Sequence, residues 1–170
     1  GVYSGLQAET FDQNDLEFAQ DNLRILSGLY GVLKPLDLIQ PYRLEMGTKF
    51  ENAKGKNLYD FWSNEVTNNL NKNIKKHENK TIINCSSNEY FNVIDKKNLE
   101  GDILNIVFKE YRDGELKFIS FNAKKARGLL ARFVINNKIT SINELKDFNL
   151  ENYKFDSSLS DNLTFVFTRD

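Results

Sequence analysis

Five cations, Lys124, Lys125, Arg127, Arg132 and Lys138, fall within residues 122–140, and no acid interrupts them. Such side chains bind anions, and their spacing decides which kind. On a helix over 122–136, Ala123, Ala126, Leu129, Leu130, Phe133 and Val134 make an apolar stripe. On the opposite side Lys124, Lys125 and Arg132 ring Gly128 and Ala131, with Arg127 at the border. A phosphate backbone could approach the nearly bare main chain there, because local potential rather than net charge steers a polyanion. Glycine inside a helix costs about 1 kcal/mol relative to alanine, so Gly128 calls for the close approach of a ligand or of a neighbouring element. The plainer reading is a solvated face with Gly128 packed under another segment.

A second phosphate-binding pattern is Leu26-Ser27-Gly28-Leu29-Tyr30-Gly31-Val32-Leu33-Lys34-Pro35, read as a helix, a tight glycine turn and an apolar stretch. In helix-hairpin-helix modules the glycines let backbone N–H groups hold a DNA phosphate without reading sequence. The match is partial: the usual glycines are two apart, whereas Gly28 and Gly31 are three apart, and Pro35 interrupts a second helix unless the helix starts there. A helix C-cap at Gly28 is the alternative.

Other chemistry is thin. One cysteine, Cys85, allows no disulfide framework, and with one histidine, His77, no Cys/His zinc site can be assembled. A Cys85–His77 dyad has only coexistence in its favour, against a small buried cysteine beside a strand. Glu45, Asp60 and Glu89 could serve as cleft carboxylates, but a chain with 24 acids offers such candidates by chance. No P-loop or GxGxxG occurs.

The elements that must position these residues belong to a chain of 170 residues, the size of one domain. Apolar spacing predicts a helix over 14–26 (Leu16, Ala19, Leu23, Leu26), ended by Ser27-Gly28, and another over 58–74. Residues 81–85 read as a buried strand, and Ser86–Glu89 open a short helix over 90–94. Residues 103–109 and 115–121 read as strands paired antiparallel about Asp113-Gly114. The helix over 122–136 follows, then a short helix at 142–148 and a last strand at 163–167. The fold class is α+β or mixed α/β, a single compact domain over 1–170 with an antiparallel hairpin in a mixed sheet, flanking helices and a helix-hairpin-helix-like element. Net charge is -1 but uneven: residues 1–33 are acidic, 34–57 mildly basic and 122–140 wholly basic. No apolar run approaches a membrane span, the N-terminus has no secretory signal pattern, and the cytoplasm is the expected address.

The blocks LSGLYGVLKPLDLIQPYRLEMGTKF, GKNLYDFW, INCSSNEYF, ISFNAKKARGLLARFVI, NYKFD and LTFVF, in this order, resemble the YaaA family of peroxide stress proteins across essentially the whole chain. The resemblance implies a bacterial cytoplasmic protein that protects against hydrogen peroxide by lowering available iron and limiting DNA damage. It also implies a mixed α/β fold with a helix-hairpin-helix-like element beside a basic cleft that binds double-stranded DNA. Carried over, the hairpin falls on Ser27, Gly28, Leu29, Tyr30 and Gly31, and the cleft cations are Lys34, Arg43, Lys124, Lys125, Arg127 and Arg132, around Gly128. The family's opening segment, with a Ser-Pro-Ala-Lys-like motif, has no counterpart, so the chain reads as the C-terminal two thirds of a longer protein. Cys85 stands where the family is expected to carry alanine.

The leading expectation is sequence-independent contact with double-stranded DNA, no membrane partner, no cofactor, no metal site and no catalytic residue. The alternative is an enzyme acting on a nucleotide or other phosphorylated small molecule, with Glu89, Tyr90 or Glu45 contributing chemistry. A third reading is an iron-linked interaction protein.

Overall fold

The structure is a computed structural model that describes residues 1–170. The chain is mixed helix and strand, as the sequence pattern predicts, and its residues group into two compact units, each discontinuous in sequence. One unit comprises 1–18, 82–85 and 103–170; the other comprises 19–81 and 86–102.

The first unit is built on a mixed sheet of β3 (Thr81–Asn84), β4 (Asp102–Arg112), β5 (Glu115–Lys117), β6 (Lys154–Phe155) and β7 (Thr164–Arg169). The spatial order is β3-β4-β7-β6, with β5 paired to β4. Asp113 and Gly114 adopt φ of 53° and 78°, the left-handed values that a tight antiparallel turn demands, and β5 pairs β4 with Tyr111 opposite Leu116. In contrast β7 runs parallel to β4, from Asn105 opposite Thr164 to Glu110 opposite Arg169. That pairing needs a long crossover, which includes the helix α5 (Ser120–Asn136). Alternation along β4 turns Leu104, Ile106, Phe108 and Glu110 inward. The three apolar side chains pack with Ala123, Ala126, Leu129 and Leu130 of α5 and with Phe148, Tyr153, Phe165 and Phe167. The rings interlock: Phe108 stacks on Phe167 at 5.3 Å and meets Tyr153 edge-on at 4.9 Å.

On α5 lies α1 (Val2–Leu6). A Cβ added to Gly128 would sit 1.8 Å from the Val2 carbonyl oxygen, and one added to Gly5 would sit 2.1 Å from that of Lys125. The two helices thus meet backbone to backbone, and of the two reasons open for Gly128 the neighbouring element is the one realised.

The other unit contains most of α2 (Gln13–Asn22), a hairpin of β1 (Ile25–Ser27) and β2 (Gly31–Leu33), α3 (Leu58–Ile74) and α4 (Asn88–Phe91). Helix α2 stops four residues before the predicted end, because the Arg24 guanidinium takes the carbonyls of Gln20 and Leu23 at 2.8 and 2.7 Å. Leu23 and Leu26 therefore do not continue the helical stripe; Leu26 pairs with Val32 across the hairpin instead. Asn57 caps α3 by accepting from the Asp60 N–H at 2.9 Å. Leu58, Val66, Leu70 and Ile74 of α3 are buried, as are Met46, Phe91, Val93 and Ile94. Two buried polar residues of α3 hold the segment after α4: Thr67 accepts from the Asp95 N–H at 2.9 Å, and Asn71 bridges Glu100 and Asn98 at 2.8 Å each.

Gly128→Ala tests the helix contact. In a free helix the change gains about 1 kcal/mol; here overpacking against the Val2 carbonyl should reverse the sign and cost roughly 1–3 kcal/mol, read as a lower urea midpoint.

Candidate functional site

In the unit that carries β1 and β2, the glycine turn joins two strands. The helix-hairpin-helix-like element expected over Ser27–Gly31 is a strand-turn-strand, and both glycines are used internally. The Gly28 carbonyl accepts from the Trp62 indole N–H at 2.8 Å. A Cβ on Gly28 would lie 2.3 Å from the Leu44 carbonyl oxygen. Gly31, at φ +80°, lies flat against the Trp62 ring, where a Cβ would come within 2.7 Å. Ser27 is fully buried, and its Oγ accepts from the Tyr30 N–H at 3.0 Å and shares a hydrogen with the Tyr42 hydroxyl at 2.5 Å. The rings of Tyr30 and Tyr42 meet edge-on at 5.6 Å. Leu29, at the tip, is exposed.

From Lys34 the chain runs without helix or strand to Asn57. Lys34 and Arg43 are exposed and neither side chain has an ion-pair partner. Around them Leu36, Leu38, Ile39, Tyr42 and Phe50 stand in solvent. The same segment is tied to α4 at Glu45 and Gly47. The Tyr90 hydroxyl donates to the Glu45 carboxylate at 2.8 Å, the Glu89 carboxylate accepts from the Gly47 N–H at 2.9 Å, and the Tyr59 hydroxyl donates to the Glu89 carbonyl at 2.7 Å. Burial, and then the bond to Glu45 and the charges of Glu45 and Glu89, push the Tyr90 phenol above its ordinary value. The three residues considered for chemistry, Glu45, Glu89 and Tyr90, are thus brought together as a clasp for the loop.

In the unit that carries α5, most of the basic run is engaged. Lys125 pairs with Glu151 at 2.9 Å. Arg132 donates to the Gln7 carbonyl at 3.3 Å and to Thr10 Oγ1, and its guanidinium lies 5.9 Å from the Phe11 ring centre. Lys138 pairs with Asp15 at 2.5 Å and holds that carboxylate below its ordinary range. Arg127 is half-buried, and burial lowers its pKa, while the neighbouring Cys85 acts in the opposite direction. Gly128 lies under α1 and offers no surface to a ligand. Lys124 alone among these cations is exposed and without an ion pair.

Sequence reasoning missed Glu110. It is buried at 3% exposure, yet receives Arg112 at 2.5 Å, Asn122 at 2.8 Å and Arg169 at 3.3 Å. Burial pushes its pKa up, and the bonds from Asn122 and Arg112 with the charge of Arg169 more than offset this, so it lies below the ordinary value. The only signal in the sequence was a carboxylate on the apolar face of a strand.

Fold and site together define an α+β protein with two sets of solvent-facing cations, and comparison with known proteins gives its family. A family model described as peroxide stress protein YaaA matches residues 1–159. The chain is 55% identical over 168 residues to a UPF0246 protein of Saccharophagus degradans, covering 99% of this chain and 66% of the relative. It is 53% identical over 169 residues to a UPF0246 protein of Aliivibrio fischeri and 51% identical over 168 to one of Colwellia psychrerythraea, each with 99% of this chain and 65% of the relative covered. The chain therefore belongs to the YaaA family of peroxide stress proteins, and it spans about 65% of the length of these curated relatives. No helix of the structure is long and apolar enough to cross a membrane.

The Cys85 thiol packs against the core of its unit, and burial pushes it up to about 12. Native protein at pH 8 should therefore resist a thiol-reactive dye that labels it fully once unfolded; rapid native labelling would revive a thiol role. Tyr59, Tyr90 and Tyr153 are all raised, chiefly by burial. Because their folded-state values exceed the unfolded ones, the stability they contribute is intact below about pH 10 and lost as pH rises beyond it. Tyr90→Phe should flatten part of that alkaline loss in denaturant titrations run at increasing pH.

Proposed function

We propose that the protein protects cells against hydrogen peroxide by limiting free iron and damage to DNA, and that this chain contacts double-stranded DNA through phosphates, without reading sequence. The family to which it belongs supports the peroxide role. The DNA reading rests on one observation: of the cations expected to contact DNA, Lys34, Arg43 and Lys124 are exposed and have no carboxylate partner, whereas Lys125 and Arg132 are engaged. Ammonium and guanidinium groups of this kind recognise phosphate charge and carry no base information. Lys34 and Arg43 sit on a loop that is anchored at Glu45 and Gly47 and exposed between its anchors, which suits docking on a rod of phosphates.

Salt dependence tests the reading. Two phosphate contacts, at Lys34 and Arg43, give a log–log slope of affinity against salt of about -2. Changing Lys34 and Arg43 together to Ala should reduce its magnitude by up to about two units, equally on unrelated duplexes, as followed by fluorescence anisotropy. Absence of binding at low salt, or an unchanged slope in the double variant, would sink it. In a peroxide-sensitive host the same variant should protect less well than the parent chain.

A further inference from the structure

Leu36, Leu38 and Ile39, within four consecutive positions of the loop that follows β2, are 56%, 99% and 47% exposed. Scattered apolar side chains on a surface are ordinary, but a contiguous set marks a place where something docks. The backbone beneath them is held. The Lys34 N–H donates to Asp37 Oδ2 at 2.8 Å and the Asp37 N–H to the Lys34 carbonyl at 3.1 Å, which closes a tight turn. The Leu36 N–H donates to Gln20 Oε1 and the Gln40 N–H to the Tyr30 hydroxyl, each at 3.0 Å. Leu38 therefore follows the turn directly and precedes the Tyr30 anchor by two residues, on backbone fixed from both sides, with its side chain wholly in water.

Lys34 and Arg43 flank it, exposed and without ion pairs. Four and five residues of chain keep both within about 18 Å of Leu38. Asp37, the one acid between them, is taken up by the turn. An apolar point between two free cations calls for an occupant with anionic groups on either side of a narrow apolar opening. A base-pair step between two phosphate backbones has that arrangement: proteins that bend DNA insert Leu, Ile or Phe between base pairs from the minor groove while cations hold the strands. A lipid surface takes a broad apolar face, whereas here Leu38 alone stands clear of the loop and its apolar neighbours are about half covered.

We infer that Leu38 is a wedge: with Lys34 and Arg43 on phosphates of a duplex, it enters between two base pairs from the minor groove and bends the DNA. This rests on the duplex contact proposed above and adds a change of DNA shape to it. A short duplex with a fluorophore at each end, titrated with the 170-residue chain, tests it. Energy transfer between the ends should rise on binding, as for a bend of about 20° or more. A duplex with one mismatched pair, which costs less to unstack, should bind at least about threefold more tightly than the matched one. Leu38→Ala should abolish both effects and leave the salt slope and the melting temperature of the protein unchanged, because the side chain lies outside the core; Leu38→Phe should keep both effects. Duplex binding without a rise in energy transfer, or the same rise and mismatch preference in Leu38→Ala, overturns the wedge and leaves the phosphate contact standing. Absence of duplex binding at low salt removes the wedge together with the contact on which it rests. Sedimentation with phosphatidylserine vesicles that is lost in Leu38→Ala, beside unchanged DNA bending, would assign Leu38 to a lipid surface and overturn it as well.

Discussion

The first unit depends on a place where no side chain fits. Helices α1 and α5 touch through Gly5 and Gly128, where an added Cβ would come within about 2 Å of a carbonyl oxygen of the facing helix. Backbones this close exclude water from both helix surfaces and replace side-chain packing with main-chain contacts. Once α1 is seated there, the residues that follow it come within reach of α5, and Arg132 and Lys138 bind Gln7, Thr10 and Asp15. Much of the basic character of this helix is spent on holding the first fifteen residues in place. What remains for an external anion is Lys124, near the end of the helix remote from those contacts.

The other unit has a similar constraint, with an aromatic ring as the object approached. Trp62 receives two turns of backbone: it donates to Gly28 and lies flat under Gly31. These contacts orient the hairpin, and Ser27 beside its turn carries the order outward to Tyr30 and Tyr42. The exposed loop with Lys34 and Arg43 begins at one end of this arrangement and is caught again at Glu45 and Gly47. A cationic loop that would otherwise sample many shapes is thus fixed through Tyr90 and Glu89 of α4, which hold Glu45 and Gly47.

Elements that depend on neighbours in sequence were legible. The Asp113-Gly114 turn needs only two residues with positive φ, and α3 and α5 advertise themselves through apolar spacing over seventeen residues each. The α+β class followed from these. Residues 25–33 were misread because Leu23 and Leu26 fit a helical spacing, and the choice between helix and strand is made by Arg24 at the helix end and by Trp62 far along the chain. The parallel pairing of β4 with β7 left no trace either, since it joins residues 59 apart at Glu110 and Arg169. For the candidate site the sequence showed a run of cations at 122–140 but not their partners: those of Arg132 and Lys138 lie 122 to 125 residues away, beyond anything a local count can weigh.

The interleaving of the two units has a bearing on how the chain is made. Residues 19–81 and 86–102, which form one unit, are all synthesised before the last third of the chain. The other unit needs residues 1–18 and also β7, which ends at Arg169. Domains generally fold as units as they emerge, and contacts distant in sequence form slowly. Residues 1–18 must therefore wait, with α1 lacking α5 and the inward face of β4 lacking Phe165 and Phe167, until β7 has been made. During that interval Ile106 and Phe108 are open to other chains, so the yield of folded protein depends on how quickly β7 reaches β4.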